Sequence, residues 1–126
     1  MSKTALELTA EERRAYRILP LPSRIRQSEL AKRWQRAWQL AQEAAHLLRS
    51  RFGAKRVVLF GSLSDQALFT LWSDIDLAAE GIFASEFYRA VGVVSALSAE
   101  FEIDLIDIDD CKPTMRQVIK REGVAL

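Results

Sequence analysis

The stretch at residues 57–77, VVLFGSLSDQALFTLWSDIDL, combines two strand-like patterns with a glycine–serine break. It opens with the apolar run of a buried strand, breaks at Gly61-Ser62, and ends at two aspartates one residue apart, Asp74 and Asp76. Because side chains alternate between the faces of a strand, both carboxylates are predicted to lie on one face of a second buried strand. Like charges so close repel each other unless a cation lies between them.

Strand-like and helical patterns alternate around this stretch, which predicts a domain of the α/β class. Strands are predicted over residues 55–60, 74–79 and 102–108. Helices are predicted over residues 28–51 and 85–100, from Pro113 to Gly123, and after the capping-box pattern at Thr9–Glu12.

Single residues mark the ends of these helices. Ser85 is the expected N-cap of its helix, and Pro113 suits the first position of the last helix, which Asp110 is expected to help cap. Pro20 and Pro22 are expected to end the first short helix in a loop.

Composition limits the class of protein. At 126 residues the chain is expected to form one domain, and Cys111, its single cysteine, excludes an intrachain disulfide and suits the reducing cytoplasm. No apolar run reaches the length of about 18 residues that a membrane span needs. The N-terminal residues are charged and do not resemble a signal peptide. A cytoplasmic location without membrane contact is therefore expected.

Charge is distributed unevenly along the chain. Residues 1–56 carry 13 Lys and Arg against 5 Asp and Glu, a net charge of +8, whereas residues 57–126 carry 5 against 12, a net charge of −7. Two interpretations are open: a basic helical face balances an acidic sheet, or the acidic half concentrates cations while the basic half meets an anionic partner. No base-reading motif accompanies the basic half, so direct binding of nucleic acid is not expected.

The two aspartates predict a metal site. Asp104 lies inside the third predicted strand, and its carboxylate can reach Asp74 and Asp76 if the two strands are neighbours. Three carboxylates on one edge suit Mg²⁺, and two ions about 3.5–4 Å apart can clamp an in-line displacement at phosphorus.

The Gly-Ser turn supplies the complementary half of such a site. Gly61 can adopt a positive φ and lets the backbone approach a ligand closely. Ser62 offers a hydroxyl to a phosphate oxygen, and a helix that followed would point its first N–H groups at an anion. The turn and the aspartates together predict a site for a nucleoside triphosphate and its metal ions.

These motifs resemble the minimal nucleotidyltransferases (MNT) of the DNA polymerase beta-like superfamily. The residues that carry the resemblance are Phe60-Gly61-Ser62, Ser73-Asp74-Ile75-Asp76-Leu77, Ile103-Asp104-Leu105-Ile106 and the ending at 118–124. The resemblance covers residues 52–126 and implies a nucleotidyltransferase core with a small mixed sheet backed by helices. Residues 1–51 would form an N-terminal helical extension that packs on this core.

The resemblance also implies an activity. Asp74, Asp76 and Asp104 would be the catalytic and metal-binding residues, with two Mg²⁺ ions, and Gly61, Ser62 and Ser73 would bind ATP. AMP would move to a hydroxyl with release of pyrophosphate. Many proteins of this family are antitoxins that add AMP to a tyrosine of a HEPN-domain toxin, which implies such a toxin as the partner.

The chain departs from the family pattern after Gly-Ser, where an Arg or Lys is usual. Here Leu63-Ser64-Asp65-Gln66 follows, and no Lys or Arg occurs between Arg56 and Arg89. The phosphate charge would be met by metal, backbone N–H groups, or a distant cation such as Lys112 or Arg116. Two hypotheses therefore compete: a nucleotidyltransferase, and a catalytically degenerate module that neutralises its partner by binding alone. An antibiotic-modifying enzyme is disfavoured, because it would need a second domain.

Other residues have competing interpretations. Trp34 and Trp38, four apart on the long helix, either pack in the core or form a stripe that faces a partner. Phe69 and Trp72 either flank a nucleotide base or pack under their loop. Three further residues complete the candidates: Glu80 as an auxiliary metal ligand, and His46 and Cys111 with no catalytic role expected.

Overall fold

The computed structural model describes residues 21–126, and the side chains from residue 23 onward. The helix predicted after Thr9 and the role of Pro20 lie outside the described residues. In chain order the elements are α1 (Leu21–Phe52), β1 (Arg56–Phe60), β2 (Ile75–Glu80), α2 (Ala84–Ser95), β3 (Ile103–Asp107), α3 (Pro113–Glu122) and β4 (Val124–Ala125). Short 3-10 helices occupy Ser62–Ser64 and Ile108–Asp110.

The four strands form one mixed sheet in the order β3-β2-β1-β4. β1 is antiparallel to both β2 and β4, and β2 is parallel to β3, which it reaches through the crossover helix α2. The predicted fold class, a small mixed sheet backed by helices, is confirmed. The strand β4 was missed, because two residues are too few to show an alternating pattern.

The sheet separates two apolar clusters. On one face, Ile75 and Leu77 of β2 are fully buried against α1 and α2. On the other face, Ala78 packs with Val58 of β1 and Ile119 of α3. Alternation along β2 therefore places Asp76 on the face that α3 covers, while its neighbours fill the main core.

Small residues bring α1 close to the sheet. The core-facing stripe of α1 repeats at helical spacing and includes four fully buried alanines, Ala37, Ala41, Ala44 and Ala45. Trp34 is only 3% exposed, and Trp38 packs against the same cluster with the two ring centroids 5.8 Å apart. The core interpretation of the two tryptophans is confirmed.

The predicted start of the long helix was wrong. α1 begins at Leu21 rather than at residue 28, so Pro22 lies in its first turn and not in a loop. Proline is tolerated there because the first N–H groups of a helix have no partner within the helix.

The second helix also differs from the prediction. It begins at Ala84 with Phe83 at the N-cap, so Ser85 is not the cap, and it ends at Ser95 rather than at residue 100. Beyond its end, the Ser98 hydroxyl accepts hydrogen bonds from the N–H groups of Glu100 and Phe101, which turns the chain into β3.

The last helix follows the prediction at both ends. Pro113 occupies the first turn of α3 and Gly123 ends it, whereas the N-cap is Lys112 and not Asp110. No helix of residues 21–126 combines the length and the apolar character needed to cross a bilayer.

Gly123 is predicted to be required for the packing of α3 on β1. A Cβ there would overlap the carbonyl oxygen of Ile119 and the side chain of Val58, so Gly123→Ala should lower the free energy of unfolding by about 1–3 kcal/mol. Gly92 provides the control, because a Cβ at that position in α2 meets no atom within 4 Å. Gly92→Ala should raise the free energy by about 0.5–1 kcal/mol. Urea unfolding measures both, and a Gly123→Ala variant as stable as the wild type would contradict the prediction.

Candidate functional site

The centre of the candidate site is a pair of aspartates on neighbouring strands. Asp76 of β2 lies directly beside Asp104 of β3 in the parallel register. The backbones of adjacent strands are about 4.8 Å apart, and directly paired residues present their side chains on the same face. Asp76 is half-buried and Asp104 is exposed, so the pair spans the boundary between core and solvent.

Gly61 lies next to the aspartate pair, on the side of β1. Phe60, the last residue of β1, pairs with Asp76, so the turn at Gly61 follows at the same end of the sheet. Gly61 adopts φ +76°, a positive φ that glycine reaches without strain. A Cβ on this residue would overlap Oδ2 of Asp76, so only glycine leaves room for the carboxylate. The close approach and the positive φ both require glycine here.

Asp74 lies just before β2 rather than within it, because the strand begins at Ile75. Its charge still acts on the pair. Burial raises the pKa of the Asp76 carboxyl above its ordinary value, and the charges of Asp104 and Asp74 raise that pKa further. The three carboxylates thus interact by repulsion, which a cation would relieve.

The carboxylates fit a divalent metal in their chemistry and in sharing one end of the sheet. In residues 21–126, however, no three His, Cys, Asp or Glu side chains are gathered closely enough to hold an ion. Asp76 and Asp104 are therefore the pair that the backbone positions, and Asp74 would complete the set only by a side-chain adjustment. The metal role of all three residues stays a prediction.

Serine and threonine hydroxyls hold the loop between the two motifs. Ser64 Oγ donates to the carbonyl oxygen of Gly61 at 2.6 Å, which fixes the turn. The Ser73 hydroxyl is buried and accepts from the Thr70 N–H at 2.8 Å. Ser73, predicted to bind the nucleotide, therefore already uses its hydroxyl within the loop. The Ser62 hydroxyl makes no hydrogen bond to the described part of the chain and stays available.

The segment after Gly-Ser differs from the expected helix. Only a three-residue 3-10 helix follows, so a helix N-terminus that binds an anion is absent at this turn. Asp65 Oδ1 accepts from the Ala67 N–H at 3.0 Å, so this carboxylate caps a local turn. Ser64 and Thr70 were missed in the sequence because hydroxyls that stabilise turns resemble any other polar loop residue.

Arg116, one of the two cations expected to meet the phosphate charge, lies at the opposite end of the sheet from Gly61. Arg116 donates to the carbonyl oxygens of Ile108 and Asp109, which follow the far end of β3. Arg56 pairs with Glu80 at 3.5 Å where β1 begins and β2 ends. Glu80 is therefore not placed as an auxiliary metal ligand.

The aromatic residues of the loop separate in the structure. Phe69 is 4% exposed and belongs to the main core, whereas Trp72 is 88% exposed directly before the aspartates. Among the remaining candidates, His46 is exposed on α1 and Cys111 Sγ donates to the Ile108 carbonyl oxygen, so neither faces the site.

The comparisons with known proteins support the fold. No protein-family model matches the chain, and no curated protein matches it. Solved structures of toxin–antitoxin complexes do resemble it. The likeness is one of fold.

Three of these structures give the extent of the similarity. A toxin–antitoxin crystallised with AMP-PNP is 21% identical over 68% of this chain and 70% of its own, with a TM-score of 0.57. The toxin–antitoxin MntA-HepT is 17% identical over 70% and 69%, with a TM-score of 0.53. A tri-AMPylated Shewanella oneidensis HEPN toxin in complex with MNT antitoxin gives 18% over 71% and 70%, with a TM-score of 0.54.

Removing the charge of Asp76 is predicted to stabilise the metal-free protein. A raised pKa means that the folded state favours the protonated form, so at neutral pH the ionised carboxylate costs stability, and this cost disappears at acid pH. Asp76→Asn should therefore raise Tm at pH 7 by about 2–4 °C, since the half-buried group costs no more than about 1 kcal/mol.

Thermal unfolding in the presence of a chelator measures this effect. Asp110→Asn is the control, because Asp110 is exposed and its side chain makes no hydrogen bond or ion pair within residues 21–126. A fall in Tm for Asp76→Asn would show that the carboxylate is stabilised by a group other than a metal ion.

Proposed function

We propose that the chain is a metal-dependent nucleotidyltransferase that moves a nucleoside monophosphate, AMP from ATP, to a hydroxyl of a partner protein. The observation that carries the proposal is the pairing of Asp76 with Asp104 beside Gly61. Burial and the charges of Asp104 and Asp74 raise the pKa of the Asp76 carboxyl, and carboxyl groups perturbed in this way are typical of functional sites. The division into a core at residues 52–126 and an N-terminal extension at residues 1–51 is part of the proposal.

Each motif has a separate task in this reaction. Gly61 and Ser62 would contact the β- and γ-phosphates, because the missing Cβ opens the backbone and the Ser62 hydroxyl is available. Ser73 would hold the loop that leads into Asp74, through its hydrogen bond with Thr70. The loop would thereby fix the position of Asp74 and the start of β2.

The carboxylates would hold Mg²⁺, with Asp74 and Asp76 shared between two ions and Asp104 on the catalytic one. When bound, the ions supply charge neutralisation for the phosphates and activation of the acceptor oxygen. Their positive charge matters especially here, because residues 57–88 contain no Lys or Arg.

The chemical step is a single displacement at the α-phosphorus. The acceptor oxygen forms a bond to this phosphorus, and the bond from the phosphorus to the oxygen bridging to the β-phosphate breaks. Pyrophosphate leaves with the electron pair, and Asp104 takes the proton of the acceptor hydroxyl. Asp104 is exposed, so a hydroxyl on another protein can reach it.

The partner that we propose is a HEPN-domain toxin, and the acceptor is a tyrosine of that toxin. One similar fold occurs in a complex of a tri-AMPylated HEPN toxin with an MNT antitoxin, and another was crystallised with AMP-PNP. On this proposal the chain acts as an antitoxin that disables its toxin by covalent modification.

A second candidate is an antitoxin that acts by binding alone. It is favoured by one observation: the described carboxylates are not gathered into a set that could hold a metal. A nucleotidyltransferase fold that has lost its chemistry would still present its surface to the toxin.

Label transfer from ATP distinguishes these functions. With ATP labelled on the α-phosphate, Mg²⁺ and a HEPN-domain toxin that forms a complex with this chain, the wild type should label the partner. Asp104→Asn should reduce the rate at least about 100-fold, because a metal ligand contributes several kcal/mol to the transition state. Removal of Mg²⁺ by a chelator should abolish transfer.

Asp107→Asn is the matched control. Asp107 lies on the same strand three residues further on, and an asparagine keeps the oxygen that accepts from the Asp109 N–H. This variant should transfer label at the wild-type rate. If the wild type binds the toxin without labelling it, and Asp104→Asn neutralises the toxin equally well, the binding module is the correct function.

A further inference from the structure

β3 is an edge strand of the sheet formed by the described residues. It is the terminal strand of the sheet, and no described residue pairs with its outer edge. The Ile75 N–H donates to the carbonyl oxygen of Glu102, so the backbone of Glu102 points towards β2. Because this direction alternates along a strand, Ile103, Leu105 and Asp107 present their N–H and C=O groups outwards. Such a row is a template for another strand.

A groove of about 670 Å³ runs along this free edge. Its walls are the last turns of α2, through Val91 and Ser95, and the loop before β3, through Ala99. Its floor is β3 itself and includes Asp104. The groove therefore leads along an unpaired backbone to the exposed carboxylate of the candidate site.

Two sets of interactions hold the loop wall in place. Arg36 of α1 makes a two-point contact with Glu100, at 3.0 Å and 2.7 Å. The guanidinium of Arg33 lies 4.1 Å from the centre of the Phe101 ring. The groove is thus formed before any ligand enters, which reduces the entropy lost on binding.

The strand that borders the groove is acidic. Glu102 and Asp104 project from the face of β3 opposite α2, both are exposed, and neither has an ion pair among residues 21–126. The nearby cations Arg33 and Arg36 already contact Glu100. The free charge along this strand is negative, and it favours a basic ligand.

We propose that the groove along β3 binds an extended, basic segment of another protein, which adds to the sheet as a fifth strand and presents its acceptor hydroxyl to Asp104. The proposal rests on the proposed function and assigns the acceptor site within it. A residue paired with Asp104 would have its side chain on the same face as the carboxylate, with the strands about 4.8 Å apart. Asp76 would lie one strand further in.

A second copy of this chain fits the groove poorly. Pairing of two β3 edges would bring Glu102 and Asp104 of one copy against the same acidic residues of the other. Like charges placed opposite each other on paired strands are destabilising. A basic segment removes this repulsion, so the occupant is expected to be a different chain.

Binding can be tested without catalysis. The probe is an eight-residue peptide in which lysine and tyrosine occupy every second position and threonine the positions between, so that lysines and tyrosines share the strand face that meets Glu102 and Asp104. It is added to the full chain without nucleotide at low ionic strength. Hydrogen exchange followed by NMR should show protection of the amides of Ile103, Leu105 and Asp107. The same peptide methylated on every backbone nitrogen cannot pair with a strand and should not protect them. A glutamate–tyrosine peptide should bind at least about 10-fold more weakly.

Matched variants locate the peptide in the groove. Ser95→Trp fills the groove at the last turn of α2, whereas Ser85→Trp places the same side chain on the exposed first turn. Ser95→Trp should weaken binding at least about 10-fold and Ser85→Trp should leave it unchanged. Glu102→Lys should weaken binding through charge alone, with Glu43→Lys on the exposed side of α1 as its control.

Three results would overturn the proposal: no binding of the lysine peptide, binding without edge protection, or edge protection by self-association seen in sedimentation without peptide. Titration of the same samples with AMP-PNP and Mg²⁺ tests nucleotide binding, and so the proposed function, separately from peptide binding in the groove. Groove variants should bind the nucleotide as the wild type does. If the wild type binds the peptide but not the nucleotide, the result would support strand addition in the groove and contradict the proposed function.

Discussion

The parallel register of β2 and β3 is the constraint on which the site depends. It fixes Asp76 beside Asp104, and the bend at Gly61 closes around the Asp76 carboxylate. The core determines this register, because Ile75, Leu77 and Ile103 must all face α1 and α2. A slip of one residue would turn the carboxylates into the core, so the burial of apolar side chains holds like charges together. The repulsion between the carboxylates lowers the stability locally, and the packing of the apolar core compensates for it.

Much of this arrangement was predictable from the sequence, for reasons that lie in particular residues. The run ending at Phe60 and the alternation through Asp74–Leu77 are strong strand patterns, and they predicted two strands and a face of the second strand that carries Asp76. The close approach at Gly61 was predictable because a glycine between a buried strand and a polar loop has no Cβ and can adopt a positive φ. Asp104 was found because it interrupts an apolar strand.

Other features could not be predicted because they arise from contacts distant in sequence. The Ser73 hydroxyl bonds within its own loop, and nothing in its type distinguishes that bond from one to a ligand. β4 forms because the residues after Gly123 lie beside β1 and pair with it. The end of α2 at Ser95 depends on Ser98 and on the clamp between Arg36 and Glu100, which lie 64 residues apart.

The tryptophans of the chain lie in two kinds of surroundings. Trp34 is enclosed in the core and Trp38 packs against it, whereas Trp72 stands in solvent two residues before Asp74. Indole emission shifts to longer wavelength in water. The long-wavelength component of the fluorescence of this protein therefore comes from Trp72, beside the carboxylates. A soluble quencher will reduce the fluorescence of Trp72 more strongly than that of Trp34 and Trp38. The chain thus contains a native optical reporter, and events at the aspartates can be followed without attaching a dye.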